Sequence, residues 1–109
     1  MATNYKVLGQ SNPAATTATT LYTVPASTQT IVSTIVVTNQ AATAGTYRIS
    51  VRVAAAADNA KQYIAYDVSL PANASDTLTL GVTLGATDVI TVYASSATFS
   101  FNAFGSELS

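Results

Sequence analysis

The chain has 109 residues, with no Cys, His or Trp, and only 8% charged residues against about 25% in an ordinary soluble domain. Its net charge is −1, and the basic residues are Lys6, Arg48, Arg52 and Lys61. This leaves room for one domain and excludes disulfides and thiolate metal sites. It also argues against nucleic-acid binding, which needs a patch of several cations.

The 49% hydrophobic residues supply one core, and Thr, Ser, Ala and Asn stand where charge is missing. So little charge gives little repulsion between molecules, which suits a protein that ends up associated. No secretory leader is expected, because Met1 to Lys6 lacks a basic region followed by an apolar stretch. The uncharged stretch from Lys6 to Arg48 is no membrane span either. Thr, Ser, Asn, Gln and Pro interrupt each apolar run well short of the ~20 residues needed.

In chain order, Tyr5–Leu8 reads as a short strand. Ser11 to Thr20 is polar and low in complexity, either a flexible tether or a strand-to-strand connection. Residues 1–20 are thus expected as an extended arm or a peripheral strand of a single domain over 1–109, and removing 1–12 should leave the domain folded. Thr19–Val24 is the next strand. Thr28 to Asn39 is β-branched and long, and its doublet Val36-Val37 suggests burial on both faces for part of its length. An unprotected edge there would be an aggregation hazard.

Tyr47 to Val53 alternates cleanly, with Tyr47, Ile49, Val51 and Val53 on one face and Arg48, Ser50 and Arg52 on the other. Ala54 to Ala60 is too short for a stable helix and reads as a loop with one helical turn. Gln62–Leu70 follows, then Thr77 to Leu84 as one strand with Leu78, Leu80, Val82 and Leu84 inward, then Asp88–Ala94 and Thr98–Phe104. Pro13, Pro25 and Pro71 fall between the runs, as a residue without an N–H must. About eight strands and no helix predict an all-β antiparallel sandwich, jelly-roll-like or immunoglobulin-like.

Candidate chemistry is sparse. The usual general base and the strongest nucleophile, His and Cys, are absent. A carboxylate pair for glycoside hydrolysis must sit about 5 to 9.5 Å apart, and nothing in the spacing of Asp58, Asp67, Asp76, Asp88 and Glu107 shows convergence. Asp58, Asp76 and Asp88 fall at predicted turns, where Asp is favoured for local hydrogen bonding. No calcium loop or glycine-rich phosphate loop is present, so no catalytic residue, metal or cofactor is expected. Tyr63, Tyr66, Tyr93, Phe99, Phe101 and Phe104 fall on or near predicted inward faces and read as core. A sugar-stacking surface is the alternative. Tyr5 and Tyr22, beside the polar connection, are the expected exposed contacts.

The opening Asn4 to Gln10, the middle Tyr63 to Asp67, and the closing Thr87 to Ala94 with Phe104 to Glu107 resemble segments of small virion structural proteins of tailed bacteriophages, particularly of cyanobacteria and marine bacteria. The resemblance spans nearly the whole chain. It implies a non-enzymatic capsid cement or decoration protein on the capsid exterior, made in the bacterial host cytoplasm. Its partners would be the major capsid protein and copies of itself, with no nucleic acid, membrane or small-molecule substrate. Tyr5, Val7, Leu8 and Tyr22 are the expected interface residues, with Arg48 and Arg52 as rim charges toward an acidic surface. A carbohydrate- or receptor-binding module of a phage tail or fibre is the alternative, and a glycan hydrolase a third.

Overall fold

A computed structural model describes residues 2–109; Met1, the first residue of the expected peripheral segment, lies outside them. Among the described residues nine strands form: β1 (Thr3–Ser11), β2 (Thr19–Thr23), β3 (Gln29–Asn39), β4 (Gly45–Arg52), β5 (Tyr63–Leu70), β6 (Ser75–Leu78), β7 (Val82–Leu84), β8 (Val89–Ala94) and β9 (Phe99–Leu108). They make two antiparallel sheets. One has the order β1-β9-β3-β6, with β7 also paired to β3, and the other is β2-β8-β4-β5. The chain crosses between the sheets at every connection except β4–β5 and β6–β7. Wrapping of this kind, with four strands per sheet once β6 and β7 count as one, is the jelly roll.

Alternation fills the interior. Val32, Ile35 and Val37 of β3 face Ile49, Ile90 and Val92 of the opposite sheet's strands, all at most 1% exposed. Tyr47 lies between them, its ring against Phe99 and Phe101 at 6.3 and 6.1 Å between centroids. Aromatic pairs at this spacing are worth about 0.5–1.5 kcal/mol beyond the area they bury.

The five-stranded sheet is irregular at one level across its width. β1 pairs with β9 in register up to Val7↔Phe104 and resumes at Gly9↔Ala103, leaving Leu8 as an extra residue. β3 pairs with β9 at Val32↔Gly105 and resumes at Thr34↔Phe104, leaving Ser33 extra. At the same level the partner of β3 breaks, with Val82 opposite Val32 and Leu78 opposite Ile35. A β-bulge changes which parity of side chain faces inward. In β3 the inward residues are Thr30 and Val32 before the bulge and Ile35, Val37 and Asn39 after it.

Several expectations are corrected by this geometry. β3 is not buried on both faces; its blurred alternation is the bulge at Ser33. Thr77 to Leu84 is two strands, because Gly81 takes a left-handed φ of 63° and Leu80 is turned into solvent at 54% exposure. Val53 leaves the sheet in a 3-10 turn and is exposed. Of the two forms expected for the N-terminal segment, residues 3–11 take the peripheral one, an edge strand. Leu8 belongs to the core, and Asn12 Nδ2 donates to the carbonyls of Ala97 and Phe99, so the polar connection is pinned to the domain. Removing 1–12 therefore strips a strand from the sheet, and the truncated chain is not a neutral test of function.

A Cβ at Gly105 would overlap the carbonyl oxygen of Ile31, beside the bulge in β3. Gly105→Ala should thus cost about 1–3 kcal/mol, as overpacking does. A urea titration should show the midpoint falling with an unchanged slope.

Candidate functional site

Two surfaces stand out, on opposite faces of the sandwich. The first is the outer face of the five-stranded sheet. Register brings Tyr5, Ser106, Ile31 and Thr83 into one row across four strands, and Val7, Phe104 and Thr34 into the next. Tyr5 is 85% exposed, Val7 47%, Ile31 42% and Phe104 36%, forming an apolar cluster at one end of the face. Farther along, Gln10 Nε2 donates to Asn102 Oδ1 at 2.8 Å, and Val36 and Thr77 complete that row.

Among the described residues, no charged side chain projects from this face. Lys6 and Glu107 pair with each other at its edge and inner side, Asp76 points inward to Tyr47, and the remaining charged residues belong to the other sheet or its loops. A wide, flat sheet face without a charge differs from an ordinary solvated surface, which carries mixed charges throughout.

Beyond their ladders, β1 and β9 are tied to β2 by a clasp that is buried at Tyr22 and Glu107. Tyr22 of β2 crosses the interior, and its hydroxyl donates to Glu107 Oε2 at 2.5 Å while sharing a 2.8 Å hydrogen bond with Thr30 Oγ1. Glu107 Oε1 meets Lys6 Nζ at 3.0 Å. Burial and the Glu107 hydrogen bond push the Tyr22 hydroxyl up to about 12. The same bond, with Lys6, holds the Glu107 carboxyl below its ordinary value. A second tyrosine, Tyr47 of β4, crosses similarly to Asp76 Oδ2 of β6 at 2.8 Å, and burial with that bond raises its ionisation further.

The second surface is the outer face of the four-stranded sheet. Here β5 carries extra residues against β4: Tyr47 pairs with Val68 but Ile49 with Ala65. Asp67 adopts a φ of 51° at this bulge. The distortion brings Tyr66 and Asp67 together beside Arg48, whose Nε donates to Asp67 Oδ1 at 2.6 Å. The guanidinium lies 4.2 Å from the Tyr66 ring centre and 4.4 Å from that of Tyr93. Tyr63 meets Tyr66 edge-on at 4.9 Å and donates its hydroxyl to Asp58. Arg48 holds the Asp67 carboxyl below the usual carboxylate range through that hydrogen bond.

The expected interface residues are thus divided. Tyr5 and Val7 are exposed and adjacent. Leu8 and Tyr22 are 9% and 7% exposed and belong to the interior, so neither offers a contact surface. Arg48 and Arg52 lie on the opposite face, and Arg48 is already bound to Asp67, so they do not form a rim around Tyr5. Of the six aromatics read as core, only Phe99 and Phe101 are; Tyr63, Tyr66 and Tyr93 form the outer cluster, and Phe104 joins Tyr5. Ile31 and Phe104 were missed as surface residues, although the bulge-marking doublet Val7-Leu8 in the neighbouring strand was visible. Asp76 sits in β6 and not in a turn, and every acidic side chain has a hydrogen-bond partner: Asp88, for one, accepts from the N–H groups of Ala54 and Gly85.

Comparison with protein families, curated proteins and solved structures finds no match to the chain.

The clasp has a pH signature at both ends. Glu107 lies below its ordinary 4.5 in the folded chain, so its contribution to stability is complete above about that pH and is lost as pH falls through the folded value. Tyr22 is raised, so its contribution is complete below its ordinary 10 and fades as pH rises toward about 12. Thermal melts across pH should show stability declining at both ends. Glu107→Gln should flatten the acid side, leaving the part that Asp67 supplies.

Proposed function

We propose that this protein is a non-enzymatic virion structural component, a capsid cement or decoration protein that docks on the outer capsid lattice through its uncharged five-stranded face. The observation that carries this reading is that face itself: four exposed apolar side chains, Tyr5, Val7, Ile31 and Phe104, within a surface of hydroxyls and amides and no charge. Burying charge on a partner is costly, and interface centres are depleted of it and enriched in aromatics. A face built this way loses little hydration on docking and gains from every apolar group it covers.

Two further points support the reading. Segments of the chain resemble small phage virion proteins, and the jelly roll is an architecture of viral capsid domains, although lectin domains share it and fold alone assigns no function. The lattice offers many copies of one site, so an interface of about 800 Å² per partner suffices and repetition adds avidity. The partners are the major capsid protein and other copies of this chain, on the capsid exterior.

Tyr5→Asp and Phe104→Asp place charge in the apolar cluster of the face without touching the core. Each should weaken co-sedimentation with phage heads at least about tenfold, in line with the loss of a central contact. Arg48→Gln, on the opposite face, should not. Glycan capture by the purified chain together with indifference to heads would instead support a receptor-binding module of a tail structure.

A further inference from the structure

We infer that the cleft on the outer face of the four-stranded sheet binds a sugar carrying one carboxylate group. This inference is independent of the docking reading, since the cleft lies on the other side of the sandwich.

The cleft has a volume of about 280 Å³ and is lined chiefly by Arg48, Ser50, Arg52, Tyr63, Thr91 and Tyr93. That is near the lower end of the about 300–1,000 Å³ typical of small-molecule sites, and suits a single ring. A row of hydroxyls set by register runs under it, from Tyr63 of β5, opposite Ser50 of β4, to Thr91 of β8, also opposite Ser50, and continues past the lining to Thr20 of β2. Ser50 is 2% exposed although it points away from the core, so the walls close over it. Loop 53–62 supplies one wall through Asp58.

Polar satisfaction is incomplete in this place. Among the described residues the side-chain atoms buried without a hydrogen-bond partner are Arg52 Nε and Thr91 Oγ1, and both residues line the cleft. Buried polar groups are nearly always paired, so two orphans on residues that line one cavity single it out as the place where the fold leaves polar groups short of partners. Arg52 makes only a long 3.4 Å bond from Nη2 to the Ala55 carbonyl and forms no ion pair with a described acid.

The charge balance selects the ligand. Among the residues lining the cleft, Arg48 is paired with Asp67 and Arg52 is the cation without an ion pair, while Asp58 at the wall disfavours a multiply charged anion. One carboxylate fits; a phosphate dianion does not. A guanidinium binds a carboxylate through paired, charge-assisted bonds. The hydroxyl floor and the Asp58 carboxylate match the donors and acceptors around a sugar ring, and Tyr63 and Tyr93 offer aromatic walls to its C–H face.

The test is titration of the full chain with galacturonate, galactose, acetate and inorganic phosphate, followed by chemical shifts of the Tyr63, Thr91 and Tyr93 signals. Saturable binding of galacturonate at least about tenfold tighter than that of the other three is expected. Arg52→Gln should abolish that preference, and Thr91→Val, an isosteric change, should weaken galacturonate binding while the fold is unaltered by circular dichroism. Equal binding of galactose or acetate, tighter binding of phosphate, or no binding of galacturonate would each overturn the assignment. Loss of capsid docking in the Tyr5→Asp variant leaves this result untouched, so the two readings fail separately.

Discussion

The outer face of the five-stranded sheet depends on one extra residue in each strand flanking β9. β9 keeps strict alternation, with Phe99, Phe101 and Ala103 inward and Glu107 inward again at its end. Its neighbours do not: Leu8 in β1 and Ser33 in β3 are inserted at the level of Phe104. Because side chains alternate with a period of two, a single insertion moves every later residue to the other face. Without Ser33, either Thr30 and Val32 or Ile35 and Val37 would sit outside. With it, both pairs are buried, and Tyr5, Val7, Ile31 and Phe104 are left together in solvent. Packing the core and exposing the cluster are one geometric event.

The two sheets then divide the chemistry between them. Tyr22 and Tyr47 each start in the four-stranded sheet and end on a carboxylate of the five-stranded one. They draw Glu107 and Asp76 inward, away from the outer face of the five-stranded sheet. The remaining charge collects on the other side, where Arg48 is stacked between Tyr66 and Tyr93 and Arg52 stands beside the hydroxyl row. One face is left uncharged, and the other holds a small polar cleft. In a chain with so few charged residues, their segregation matters more than their number.

Strand existence and the sandwich class were legible because the apolar alternation in segments such as Tyr47 to Arg52 is unbroken. Bulges were not, since adjacent apolar residues can mean either an insertion or burial on two faces. Val7-Leu8, Leu21-Tyr22 and Val36-Val37 all lie at or near register shifts, and only the first two contain the bulged residue itself. Tyr22 looked like a surface residue because its partner Glu107 is 85 positions away, a pairing that no local pattern carries. Tyr66 looked like core because the shift in β5 that turns it outward depends on pairing with β4. The same long-range pairing hides the hydroxyl row, whose members come from four strands scattered between residues 20 and 91.

The chain contains no cysteine, so single cysteines report on each face without background. Maleimide labelling of Ser106→Cys on the five-stranded face and of Ser69→Cys on β5 of the other sheet, free and bound to phage heads, distinguishes the two faces. Docking through the five-stranded sheet requires Ser106→Cys to be shielded on the particle and Ser69→Cys to stay reactive. The reverse pattern, or equal labelling at both positions with the chain bound, would contradict it.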